Sequence, residues 1–485
     1  MSKRWWLLGL VGLVLAGLLV GCGSKYNSSS NGLVLVGSQG SNVIQSFSFN
    51  LNSGSVSAIN NPPGITGPPS VMVVDPAGQY VYVASEVNCT PKLTANANFT
   101  NVSLTGAFQA AITAYKVNSD GSLAGKVTPQ YMQGNTAYPP TPLSTDPATP
   151  PLPKFPACGL DDTTNPAAGN PIASLAVDSS GKFLYVAMQN SSVTYSYTDI
   201  TNPQSPVNQT STAQLPSLVA VLSIGSGGTL TPVQSSYTLA LPIGFQSPNF
   251  VAAAPTPTKF PGLGINGTQN SVCSAGSSPP TSEYLYAVDS VNYAVWEFSV
   301  NTSTGALGNP SQNGVPPFAT DKVPAGVAVD PCDRFVYVSD SLTSKVSAYT
   351  ICFAVHLPSP CPMADGSLVP VTGSPFSLSG SANGAGPLVV DPYGNNVYVV
   401  GTASNTISAF KISPVSGSLT PLNPATVATG NGPRSIAIRG DDNWLFVTNY
   451  LSASVSQYSI TPATGALSVL PTIQTDNNPW GVAVK

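Results

Sequence analysis

One strand-turn-strand pattern recurs along this chain and restricts it to a repeat architecture. It reads VMVVDPAGQYVYVAS from Val71, LAVDSSGKFLYVAM from Leu175, VAVDPCDRFVYVSD from Val327, LVVDPYGNNVYVV from Leu388 and IAIRGDDNWLFVTN from Ile436. A sixth copy is divided by an insertion, with NFVAAAP from Asn249 and EYLYAVD from Glu283. A Gly-(Ser/Thr/Ala)-(Leu/Val) turn recurs independently at Gly54, Gly121, Gly228, Gly305, Gly366, Gly417 and Gly465, which makes seven units. Between the two signatures runs an alternating strand, such as VIQSFSF from Val43 or TISAFKI from Thr406. Its period of two marks a strand. Each unit therefore holds four strands: A before the Asp-Pro turn, B after it, C in the alternating run and D after the Gly turn. Four antiparallel strands per repeat make a propeller blade.

The seventh unit is divided between the two ends of the sequence. LVLVGS (Leu33 to Ser38) matches strand B with no strand A before it, and PWGVAVK from Pro479 matches strand A with no strand B after it. Pairing the two halves closes the ring and removes the open edges that would recruit other strands. The expected fold is all-β: a seven-bladed propeller of four-stranded blades over residues 32–485. Asp75, Asp178, Asp330 and Asp391 begin the A-to-B turns, where an Asp side chain accepts from backbone amides. Tyr82, Tyr185, Tyr286, Tyr337 and Tyr398, with Phe446, share one register on strand B and are expected between blades.

Residues 1–21 have the layout of a secretory signal: Lys3 and Arg4, an apolar run from Trp5 to Val20, then Gly21. LVGC (Leu19 to Cys22) resembles the lipobox of bacterial lipoproteins. That resemblance implies acylation of Cys22 and attachment to the membrane through the lipid, with residues 22–31 as a Ser/Asn/Gly tether. Gly23 after the cysteine resembles the outer-membrane sorting pattern. Charged residues are only 7% of the chain, with 16 Lys and Arg against 20 Asp and Glu and no basic run. Nothing offers the cationic stripe that a phosphate backbone requires, so nucleic acid is excluded as a partner. A monomer is expected.

The A-to-B and C-to-D turns share one face of a propeller, and the B-to-C and D-to-A connections share the other. Three long insertions fall on the second face: Glu86 to Ala110, Ala124 to Asn170 and Gln189 to Pro216. They are read as polar loops on a rigid scaffold, the usual setting for binding. Six cysteines remain after Cys22, an even number in an oxidising context. Cys89 and Cys158 sort to the looped face, and Cys273, Cys332, Cys352 and Cys361 to the other. The expected disulfides are Cys89 with Cys158, Cys273 with Cys332, and Cys352 with Cys361. A structural zinc site is disfavoured because no C-x-x-C spacing occurs and His356 is the sole histidine.

The VDPxGxxVYV repeat with its GxL turn resembles the lactonase-type seven-bladed propeller family, which includes 6-phosphogluconolactonase-like and YVTN-repeat surface proteins, over Leu33 to Lys485. The resemblance implies lactone opening, with basic residues near the channel mouth. His356 falls on the opposite face. The residue following the start of strand A reads Ser70, Ile172, Asn249, Ala325, Leu388, Arg434 and Trp480 across the blades, and only Arg434 has the expected charge. Strand B ends on Ser38, Ser85, Met188, Asp289, Asp340, Gly401 and Asn449, with Glu86 adjacent. Asp289, Asp340 and Arg434 are thus the catalytic candidates, and Glu86, Asn249, Asn449 and Trp480 the ligand-binding candidates. No cofactor is required. A channel-bound calcium fits the resemblance to six-bladed lactonases, which use a carboxylate-and-amide metal site, but no metal ligands are assigned. Two functions follow: a lipid-anchored scaffold binding a protein or glycan through its looped face, or a hydrolase of sugar lactones.

Overall fold

The computed structural model describes residues 31–59, 63, 65, 67–88, 99–105, 108–125, 127, 129–132, 172–178, 180–189, 191–199, 204–215, 218–233, 248–253, 283–308, 317–331, 333–352, 366–380 and 382–485. Its strands form seven antiparallel blades and one additional sheet. We number the blades from the copy beginning at Val71. Blade 1 starts at strand A, Pro69–Val74, and blade 6 ends with Pro433–Ile438, Trp444–Asn449, Ser454–Ile460 and Leu467–Gln474. In blade 3 the divided repeat is reunited, because Pro248–Ala253 pairs with Glu283–Asp289 across the insertion. Blade 7 is the split unit: Pro479–Val484 pairs antiparallel with Asn31–Ser38, with Val34 opposite Val484. Strand D is interrupted in blades 1 and 4. There two short segments pair in turn with the same strand C.

The core is partitioned by the period-two pattern. Both faces of a central strand are buried against a neighbouring blade, so strand B reads as a nearly continuous apolar run. Leu33 and Leu35 pack on blade 1, whereas Val34 and Val36 pack on blade 6. Seven hydrophobic clusters result, each joining two adjacent blades, and the last joins blade 7 to blade 1.

Polar staples reinforce these clusters at the face of the A-to-B and C-to-D turns. The buried hydroxyls of Tyr286, Tyr337 and Tyr398 donate to the carbonyls of Gly366, Gly417 and Gly465 at 2.7, 2.9 and 2.8 Å. Each acceptor is the C-to-D turn glycine of the following blade. Glycine is required there twice over. Gly417 has φ of 73°, and a Cβ on it would lie 2.5 Å from Phe335 Cδ1. Blade 6 has Phe446 in place of the tyrosine and so lacks the hydroxyl. There Gln457, directly opposite Phe446 on strand C, donates from Nε2 to the Gly54 carbonyl at 3.0 Å. The A-to-B turn aspartates act as caps. Asp178 Oδ1 accepts from the Lys182 and Phe183 amides, both at 2.7 Å, while Asp330 also takes the Arg334 guanidinium.

Two insertions depart from the expected loops. Phe99–Thr105, from the B-to-C connection of blade 1, joins Ser191–Asp199 and Val207–Leu215, from that of blade 2, in a three-stranded antiparallel sheet. Runs rich in Thr and Ser satisfied their backbone groups by pairing with each other, a long-range choice that polar composition did not reveal. Residues 133–171, most of the second insertion, lie outside the described residues, as do Cys22, Cys89, Cys158, Cys273, Cys332, His356 and Cys361.

Candidate functional site

At the end of the ring that carries the B-to-C turns, every strand A contains a β-bulge. Pro324 opposes Asp340 and Gly326 opposes Ser339, leaving Ala325 as the extra residue. The same irregularity sets off Arg434 in blade 6, Trp480 in blade 7, Asn249 in blade 3 and Ala173 in blade 2. In blades 1 and 5 it falls within Ser70–Val71 and Gly386–Pro387. A bulge adds one residue and re-aims its side chain, a device common beside active sites. The mouth is therefore lined by one bulged position per blade. This shifts two members of the ring expected from sequence: Ala173 replaces Ile172, which opposes Met188, and Gly386 with Pro387 replaces Leu388, which is paired and buried.

The ring is lopsided. Blades 2, 4 and 5 present small residues, while blades 6 and 7 present Arg434 and Trp480. The Arg434 guanidinium lies 5.1 Å from the Trp480 ring centre and 5.7 Å from that of Tyr450. The two rings meet edge to face at 5.4 Å. Arg434 is exposed and has no carboxylate partner among the described residues. An Arg held by aromatic faces keeps its donors available for an anion or a polarised carbonyl. Tyr450 was not among the expected residues. The signal available was its place in the B-to-C turn, immediately after Asn449.

Asp340 is fully buried at the end of strand B in blade 4. Its Oδ2 accepts from the Ser347 hydroxyl at 2.7 Å and the Ser347 amide at 3.1 Å, and its Oδ1 has no partner among the described residues. Burial pushes the carboxyl up to about 7, helped by the Asp321 charge and opposed by Ser347 and Lys345. Asp321 itself is ion-paired to Lys345 at 3.0 Å, and its amide donates to Ser347 Oγ at 3.2 Å.

Blade 6 repeats this network without a charge. Asn449 occupies the Asp340 position and donates to Ser456 Oγ at 2.9 Å, while the Gly430 amide donates to the same oxygen at 3.0 Å. The ring hydroxyls of Tyr349 and Tyr458 likewise donate to the equivalent carbonyls of Ala319 and Ala428. Asp340 and Asn449 thus share one structural niche.

Asp289 is buried and accepts from the Val291 and Asn292 amides at 3.0 and 3.1 Å and from Asn292 Nδ2 at 2.7 Å, so it caps its own B-to-C turn. By strand alternation it faces blade 2 with Leu285 and Ala287, whereas Asp340 faces blade 3 with Val336 and Val338. The two carboxylates expected together therefore look into separate clefts, and they do not form a shared cation site. Among the described residues no three His, Cys, Asp or Glu side chains converge on one point. Glu86 accepts from the Ile172 amide at 2.7 Å and pins the start of strand A in blade 2. Burial raises its pKa, and that amide opposes the shift. Asn249 lies in strand A of blade 3, at its bulge.

Residues 366–483 match the model of a family described as "Lactonase, 7-bladed beta-propeller". That span contains Arg434, Tyr450 and most of the Trp480 strand. No curated protein matches the chain in sequence. Among solved structures, it resembles a candidate 6-phosphogluconolactonase of Bacteroides fragilis, with 16% identity over 94% of this chain and 99% of the other and a TM-score of 0.55. A similar protein of Bacteroides uniformis gives 16% identity, 94% and 100% coverage and a TM-score of 0.57. The periplasmic gluconolactonase of Pseudomonas aeruginosa gives 17% identity, 94% and 99% coverage and 0.54. These likenesses establish the seven-bladed fold.

Proposed function

We propose that this protein is an exported hydrolase of sugar lactones, acting at the mouth beside Arg434, Tyr450 and Trp480. The observation that carries this reading is an exposed guanidinium without a carboxylate partner among the described residues, set on a bulge between two aromatic rings. Water adding to a lactone carbonyl creates an oxyanion, and a fixed cation at that oxygen stabilises the charge as it develops. The ring C–O bond then breaks, and the departing oxygen takes up a proton to give a hydroxy acid. Trp480 and Tyr450 supply apolar walls for the C–H face of a sugar ring. The family match over residues 366–483 and the names of the neighbouring proteins favour this chemistry. Asp340 and Asn449 act as positioning residues beneath the turns, and no metal is assigned a step.

The test is hydrolysis of aldonolactones by the purified protein and by Arg434→Ala and Arg434→Lys. The reading requires turnover above the spontaneous rate and at least a hundredfold loss in Arg434→Ala, the scale of removing one oxyanion donor. Equal rates with and without protein would refute it. A second reading, a scaffold that binds a protein or glycan without turnover, is favoured by the added sheet on the same face, and it predicts ligand retention with no product.

The same proposal includes acylation at Cys22 after removal of residues 1–21, and residence in the outer membrane. It also includes the three disulfides. Cys352 is buried, and Cys361, its proposed partner, lies outside the described residues. Mass spectrometry of the mature amino terminus and non-reducing peptide maps test these points.

A further inference from the structure

Strand polarity fixes where the chain leaves the ring. Strand B of blade 7 begins at Asn31, which pairs with Asn50 beside the C-to-D turn, and runs to Ser38 at the mouth. The Leu33 amide also donates to the Lys485 carbonyl, at the end of strand A. Asn31, the first described residue, therefore sits at the face opposite the mouth. Nine residue steps lead from Cys22 to Asn31, so their contour is at most about 32 Å. The eight residues of Asn31–Ser38 span about 26 Å. An anchor at Cys22 would use nearly all its length climbing the blade, with almost none left to bring the mouth to a bilayer.

A second observation concerns charge at that same face. Lys116, Lys182 and Lys411 are exposed there, at the ends of strands C in blades 1 and 5 and in the A-to-B turn of blade 2. Among the described residues the acids there are largely withdrawn: Asp178, Asp330, Asp333, Asp391 and Asp442 are buried, Asp75 and Asp441 are half-buried, and Asp120 is exposed. Arg334 and Arg439 are spent on Asp330 and Asp441. The charge that the described residues expose on this face is thus weighted to lysine, which suits an anionic lipid surface. Val415, at the tip of the blade 5 C-to-D turn, is 89% exposed on this face.

We infer that the face of the A-to-B and C-to-D turns rests against an anionic bilayer, holding the Arg434 mouth toward the aqueous phase. The inference rests on the proposed acylation of Cys22. It limits the ligand to one that arrives in water rather than from the membrane.

The test uses the full-length acylated protein on vesicles of phosphatidylethanolamine and phosphatidylglycerol containing a nitroxide-headgroup lipid. A fluorophore is attached through Val415→Cys or, at the mouth, Leu451→Cys. Quenching at Val415→Cys should exceed that at Leu451→Cys at least twofold, and Lys116→Gln/Lys182→Gln/Lys411→Gln should reduce it to the level seen on phosphatidylcholine. Equal quenching, or stronger quenching at Leu451→Cys, overturns the orientation. An unchanged triple variant overturns the role of the lysines. Failure of the unlabelled wild-type protein to float with vesicles overturns the anchor, and the orientation with it.

Discussion

Glu297→Gln should make this protein more stable, and by an amount that depends on pH. Glu297 lies on strand C of blade 3, directly opposite Tyr286, and is 8% exposed. Its Oε2 has no hydrogen-bond partner among the described residues, and burial pushes the carboxyl from 4.5 up to about 8. The native carboxyl then keeps its proton up to about pH 8, while the unfolded chain releases it near 4.5. Native protein binds more protons across that window, so stability is fully present below 4.5 and falls as pH rises through it. At about 1.36 kcal/mol per unit, the loss reaches about 3 kcal/mol at pH 7 and about 4–5 kcal/mol at pH 9.

Glutamine abolishes the linkage, and the protein already uses it at this position: Gln457 is the blade 6 counterpart and donates to the next C-to-D turn. With about 2.1 cal/mol/K of unfolding entropy per residue, a ring this size should gain about 3 °C in Tm at pH 7 and nothing near pH 4. Thermal melts of both proteins from pH 4 to 9 check this. Parallel Tm curves would show that Glu297 is ionised in the native state, and the reasoning would fail.

Other substitutions probe the remaining contacts. Tyr337→Phe should cost about 1–3 kcal/mol by stranding the buried Gly417 carbonyl, and adding Ala348→Gln, which copies blade 6, should recover part of it in denaturant titrations. Gly417→Ala should cost about 2–5 kcal/mol, combining left-handed strain with the Phe335 contact, and a smaller loss by chemical denaturation would count against the close approach. Asp340→Asn should fold normally, because Asn449 fills the same niche, and should flatten the dependence of Tm on pH between about 4 and 7. A collapse of that variant would show that the two blades are not equivalent there.

The architecture was legible because each blade repeats the same apolar alternation and the same glycine turn, so seven imperfect copies corrected one another. Strand B of the split blade could be matched with its missing strand A by the same means. What failed was local registry at the mouth. The bulge inserts one residue without a sequence mark, so Leu388 and Ile172 were placed where Gly386 and Ala173 stand. The added sheet also escaped notice, since Phe99–Thr105 and Ser191–Asp199 are 86 residues or more apart and carry no shared repeat pattern to link them. Arg434 and Trp480 were found by position, but their joint contact with Tyr450 depends on how three turns meet. Asp289 and Asp340 looked like a pair in the repeat alignment, yet neighbouring blades turn equivalent residues toward different clefts.

The seam between Asn31–Ser38 and Pro479–Val484 has a kinetic consequence. Joining Val34 to Val484 closes a loop of about 450 residues, a conformational entropy cost on the order of 5 kcal/mol that no local contact offsets in advance. During synthesis, blade 7 stays half-built until residue 484 has emerged, and the exposed edges of strands B and A wait for each other. Folding should therefore end, rather than begin, at this seam. Once shut it acts as a clasp, because opening any other blade first would break a ring instead of peeling an end.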